Sequence, residues 1–170
     1  PPFGTIRDND GYLTPSDSGA WLLPNGQYSS GKVDEARPEK AAVWRGYYDC
    51  AKRILELYAM DNIGYERIAY RMVEEGWAFR DRKQQPRLVN KDDVRRVISN
   101  WREYAGLLSE GRAKDQNASV IENPSGILHD TGRSVFDLDL IRKVAQVQEK
   151  RSETKRPRGS VRAAYPYPLT

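Results

Sequence analysis

"PRLVNKDDVRRVISNWREYAG", residues 86–106, decides how the rest of the chain is read. Val94, Val97, Ile98 and Trp101 recur at i, i+3, i+4 and i+7, the period of one buried helix face. The spacing predicts a helix over 91–101. Asn90 is placed to cap it, and Asp93 at its third position puts a carboxylate near the positive end of the helix dipole. By elimination Lys91, Arg95, Arg96, Ser99, Asn100 and Arg102 point outward. That face is either solvated scaffolding or a surface that reads a partner.

Upstream, "GYERIAYRMVEEG" (64–76) predicts a short helix with Ile68, Ala69, Met72 and Val73 inward and Gly76 as C-cap. Residues 77–89 are a connector with room for a short strand. A longer helix is expected to open at Pro38 or Glu39 and end near Asp61-Asn62. Its apolar stripe is Val43, Tyr47, Cys50, Ile54, Leu57 and Tyr58. "GTIRDNDGYLTP" (4–15) reads as a β-hairpin around Asp10-Gly11. Residues 16–38, rich in Ser, Gly, Pro and Asp, read as an irregular insert.

Downstream, 109–134 read as loop, with "NPSG" as a turn, and 135–151 as a last helix capped by Asp137. Leu140, Ile141, Val144 and Val147 face inward there. Residues 152–170 are expected to form an extended basic linker. The fold class is thus α+β and predominantly helical: a helix-turn-helix-like domain over 1–151, with a small N-terminal hairpin and a basic C-terminal tail.

With 170 residues, 31% of them charged, and a mean hydropathy of −0.80, the chain can build one ordinary domain but no transmembrane segment. No signal peptide is visible, and the absence of an initiator Met suggests a piece of a longer chain. Cys50 and His129 are the only residues of their types, so a disulfide within the chain and a Cys/His zinc site are both excluded. Cys50 reads as a buried inert thiol and His129 as a loop residue. No cofactor is expected, and a reducing, cytoplasmic setting is. The +4 net charge is unevenly spread: 141–162 carry +6 and 76–102 carry +5, leaving −7 for the remainder. Two basic regions on an acidic background suggest a polyanionic partner.

The pair of helices at 64–75 and 91–101 resembles a helix-turn-helix, with a connector far longer than the compact turn of that motif. In that geometry Arg95, Arg96 and Ser99 face the DNA major groove, where an arginine fork matches guanine O6 and N7. Arg80, Arg82, Lys83, Arg87 and Lys91 lie beside it as candidate phosphate contacts, and Asn90 and Arg102 are further candidate DNA-binding residues. Periodicity leaves a plain interaction scaffold open as the alternative. An enzyme is the weakest reading, because no acid/base or metal arrangement is recognisable.

Four segments in order, "PPFGTIRDNDGYLTP", "RILELYAMDNIGYERIAYRMVEEGW", "NKDDVRRVISNWREYAGLL" and "VFDLDLIRKVAQVQEKR", resemble the recombinase domain of large serine recombinases, the serine integrases and resolvases of phages and mobile elements. Ile68-Ala69, Met72, Gly76, Val94, Val97-Ile98, Asn100, Tyr104 and Gly106 fill that family's motif positions, and "YPYPLT" (165–170) is similar to its approach to a zinc ribbon. Departures are Thr5 where an aromatic is usual, Leu88 or Val89 where a tryptophan commonly stands, and one extra residue between Asn100 and Tyr104. The resemblance implies a non-catalytic, nucleoid-associated module gripping a half-site of a recombination attachment site. The serine nucleophile and the zinc ribbon would lie on neighbouring domains. It further implies a basic linker in the minor groove, a place for Arg156, Arg158 and Arg162, with Arg151 and Lys155 as further DNA-binding candidates. The module is expected to be a monomer, and its parent a dimer or tetramer on DNA. A stand-alone transcriptional regulator is the nearest alternative.

Overall fold

The computed structural model describes residues 1–106 and 134–164, of which 154–164 are described in backbone only. Its centre is α1 (Tyr47–Ala59), whose buried face carries Tyr47, Cys50, Ala51, Ile54, Leu55, Leu57 and Tyr58. Helices α2 (Tyr65–Glu74), α3 (Lys91–Ser99) and α5 (Leu138–Ala164) all pack on it. Among the described residues three small antiparallel sheets complete a mixed α+β fold. They are β1–β2 (Thr5–Arg7, Leu13–Pro15), β4–β3–β5 (Tyr28–Lys32, Ser18–Leu22, Val43–Gly46) and β6–β7 (Ala78–Arg80, Pro86–Leu88).

The N-terminal hairpin forms as expected, with Thr5 opposite Pro15 and Gly11 at φ +85° in the turn. Thr5 is buried, and its hydroxyl donates to the Pro2 carbonyl at 2.7 Å. The supposed insert 16–38 is a correction. Its first half is the central strand β3, paired with β4 from Ser18–Lys32 to Leu22–Tyr28 and with β5 from Gly19–Gly46 to Leu22–Val43. Asn25-Gly26 makes the turn, with Gly26 at φ +85° and its N–H donating to Leu23 at 2.9 Å. Gly19 serves close packing: a Cβ there would stand 2.7 Å from the Arg45 carbonyl oxygen.

This sheet also moves the start of α1. Residues Val43–Gly46 pair with β3, so the helix begins at Tyr47 rather than at Pro38 or Glu39. Val43 accordingly lies outside the helix and is exposed. In α2, Ile68, Ala69 and Met72 are buried as expected, but Val73 turns to solvent. Gly76 takes the left-handed conformation of a helix stop, at φ +82°. The connector folds into the β6–β7 hairpin.

The 91–101 helix divides at Asn100: α3 ends at Ser99, and a single turn, α4 (Trp101–Tyr104), follows. The four inward residues are fully buried, and the Trp101 indole donates to Gln148 on α5 at 2.8 Å. The Tyr104 hydroxyl donates to the Phe3 carbonyl at 2.7 Å, tying the N-terminal segment to this end of the fold. Asp137 caps α5, its side chain accepting the Asp139 N–H at 3.2 Å. Ile141, Val144 and Val147 are buried, and Leu140 packs against the core. The expected boundary after Arg151 falls inside α5, whose backbone is helical to Ala164, so the tail is not extended over that range. Glu, Lys, Arg and Ala sustain the helix, although Pro157 removes one intrahelical N–H. The loop expected at 109–134, with His129, lies outside the described residues except for its last position, as does "YPYPLT".

Candidate nucleic-acid interface

The first turn of α3 is built by a reciprocal cap. The Asn90 side chain accepts the Asp93 N–H at 2.9 Å, and the Asp93 carboxylate accepts the Asn90 N–H at 3.0 Å. Asp93 also receives both arms of the Arg87 guanidinium, at 2.5 and 2.8 Å, which leaves its side chain only 4% exposed. The hydrogen bond to Asp93 outweighs burial and raises the Arg87 pKa further. Arg87 therefore joins the β6–β7 hairpin to α3, and its fork is engaged inside the protein. Asp92 stays in solvent and pairs loosely with Arg95 at 3.6 Å, a contact of little energetic weight.

The outward face of α3 has two directions. Lys91, Arg95 and Ser99, at i, i+4 and i+8, form an exposed strip along the helix. Arg96 and Asn100 instead turn towards the hairpin, where they line a cleft of about 450 Å³ with Phe79, Arg80, Asp81 and Arg82. Phe3 and Phe79 stack beneath it, with centroids 3.8 Å apart. Arg80 lies over Phe3 at 5.8 Å and Arg87 over Phe79 at 5.3 Å. Asp81, the carboxylate at the rim, accepts the N–H groups of Lys83 and Gln85 at 2.8 and 2.9 Å and so shapes the hairpin turn. Arg80, Arg82 and Arg96 have no ion-pair partner among the described residues.

The other candidates scatter. Lys83 is exposed at the hairpin tip, and Arg102 lies over the Trp101 ring at 4.4 Å. Arg151 is an internal strut: it donates to Asp61 at 3.3 Å and to the Ile63 carbonyl at 2.9 Å, above the Tyr58 ring. Lys155, Arg156, Arg158 and Arg162 lie on the α5 backbone, with their side chains outside the described residues. Sequence reasoning missed Phe3 and Phe79 as the cleft floor and Asn100 as part of its lining. No periodicity links these residues; only the return of the hairpin on α3 brings them together.

Among the described residues no three His, Cys, Asp or Glu side chains are grouped to hold a metal, and no helix is long and apolar enough to cross a membrane. No family model, curated protein or solved structure matches the chain.

Proposed function

We propose that this protein is a sequence-reading module for double-stranded DNA. In this reading α2, the hairpin and α3 form an extended helix-turn-helix. The strip Lys91, Arg95 and Ser99 enters the major groove, and basic residues around it hold phosphates. The observation that carries the reading is the division of α3. One face is buried and capped into a rigid frame, while the opposite face carries exposed cations beside an arginine-lined cleft. The collinear resemblance to large serine recombinases narrows the target to a half-site of a recombination site. Strand cleavage would belong to a separate resolvase-like domain, and the module itself would act as a non-enzymatic monomer associated with the nucleoid. The C-terminal half of α5 supplies further basic residues to the duplex.

Selection from a random duplex library, followed by titration of the enriched sequence, tests this. Arg95→Ala should weaken binding to the enriched duplex by about 1–3 kcal/mol and leave binding to unrelated DNA nearly unchanged. A chain that enriches no sequence and binds no duplex at moderate salt would favour the scaffold alternative.

A further inference from the structure

The cleft between the β6–β7 hairpin and the end of α3 has a composition that a plain solvated surface does not require. We infer that it is a phosphate seat, taking one phosphodiester of the nucleic-acid backbone and setting the register of α3. The inference rests on the DNA-binding reading and adds a defined site to it.

Three features carry it. Arg80, Arg82 and Arg96 converge from three positions of the chain on one concavity and have no ion-pair partner among the described residues. Like charges gathered at a single cleft repel one another, and an anion between them removes that repulsion. Next, the site is held in shape. Arg80 rests on a stacked phenylalanine pair, and the Arg87–Asp93 clamp joins the hairpin to the first turn of α3. The Tyr104 hydroxyl fixes Phe3 from below. The Arg80 guanidinium held in this way, with Arg82 and Arg96 exposed at the cleft edge, suits the tetrahedral oxygens of a phosphate.

The third feature concerns what the cleft cannot take. Phe3 and Phe79 are only 5% and 4% exposed, so their faces are closed to a stacking base. Apart from the Asp81 carboxylate at the rim, which accepts the Lys83 and Gln85 N–H groups, the cleft offers cationic side chains and the Asn100 amide, which suit a phosphate with its adjoining sugar. Its position beside the Lys91–Arg95–Ser99 strip places that phosphate on the strand flanking the groove.

The test uses the full chain and a random-sequence duplex of about 30 base pairs, with affinity followed across a salt series. Arg82 is exposed at the turn, so Arg82→Ala should melt like the wild type. It should lose about 5- to 10-fold in affinity and reduce the slope of log K against log salt by about 0.9, the value for one phosphate. Arg82→Lys should restore most of the slope, and Arg96→Ala should repeat the loss. In a second arm inorganic phosphate is titrated while the arginine Nε–H signals are followed by NMR. Unchanged slopes in Arg82→Ala and Arg96→Ala, with wild-type duplex binding intact, would overturn the seat and leave the DNA-binding reading standing. Phosphate-dependent shifts of the cleft arginines together with unchanged duplex binding would likewise overturn the backbone assignment, in favour of a small phosphorylated ligand. Failure of the wild type to bind any duplex would sink both.

Discussion

Asp93 shows how much one side chain is asked to do. It closes the capping box of α3 by accepting the Asn90 N–H, receives the fork of Arg87 and is almost wholly withdrawn from water. Its removal leaves the Asn90 N–H without its acceptor and a guanidinium facing a polar gap, while the Asn90 side chain still caps the Asp93 N–H. Asp93→Ala should therefore cost about 2–4 kcal/mol in urea unfolding, well beyond the loss of an exposed pair. Asp92→Ala, one residue away, should cost less than about 1 kcal/mol, because its contact with Arg95 is loose and solvated. Equal losses in the two variants would show that the buried clamp contributes no more than an exposed, loose pair. The same contrast separates the residues that shape the interface from those exposed to meet a partner: Arg87 holds, while Arg82 and Arg95 are exposed.

At the scale of elements, close approach governs the N-terminal segment and the three-stranded sheet. Gly4 sits at φ +85°, and a Cβ there would stand 2.8 Å from the Tyr47 carbonyl oxygen at the start of α1. Both the left-handed backbone and the contact with main-chain atoms act against any side chain. Gly4→Ala should destabilise the protein by at least about 2 kcal/mol, measured by thermal or urea unfolding. Gly11, also at φ +85°, meets nothing within 4 Å, so Gly11→Ala should cost only the backbone strain, about 1–2 kcal/mol. The difference between the two variants isolates the packing contribution. The strand β3 shows the same physics, with Gly19 pressed against the backbone of β5 and Trp21 against Trp44, ring centroids 5.0 Å apart.

Across the whole molecule, two carboxylates tie distant parts together. Glu75 accepts a two-armed donation from Arg53 of α1 at 2.8 and 2.9 Å and a hydrogen bond from the Trp77 indole, while Arg45 of β5 donates to its carbonyl. Asp61, in the turn after α1, receives Lys150 and Arg151 of α5. The Arg53 hydrogen bond, followed by that of Trp77, holds Glu75 below its ordinary 4.5; Lys150, followed by Arg151, holds Asp61 below its ordinary 3.8. A carboxylate lowered in the folded state contributes stability that is complete above its ordinary value. That contribution is lost as pH falls through the lowered one. The melting temperature should thus be insensitive to these groups near neutral pH and fall on acidification below about 4.5. In Glu75→Gln the acid limb should be shallower than in the wild type. An identical acid limb in that variant would assign the loss to other groups.

Local chemistry made several of these features legible in the sequence. The i, i+3, i+4, i+7 recurrence of Val94, Val97, Ile98 and Trp101 oriented α3 correctly, and Asn90 and Asp93 form the cap their types favour. Cys50 is fully buried, its thiol pushed up by burial, as the stripe around it implied. Strand pairing was much less visible. Residues 16–38 read as a loop from their Gly and Ser content, whereas Gly19 marks where the β5 backbone lies against the strand; Asn25-Gly26 was the available signal. Pairing with β3 also delayed the start of α1 to Tyr47. The cleft is the work of tertiary structure alone. Phe3, Arg82 and Arg96 are widely separated along the chain, so no local period relates them. They meet because the hairpin folds back on α3 and the Arg87–Asp93 clamp holds it there. The sequence by itself determined which face of α3 is free. The tertiary structure decided that its arginines divide, Arg95 along the exposed strip and Arg96 into the cleft, because only the folded hairpin gives the second direction something to face.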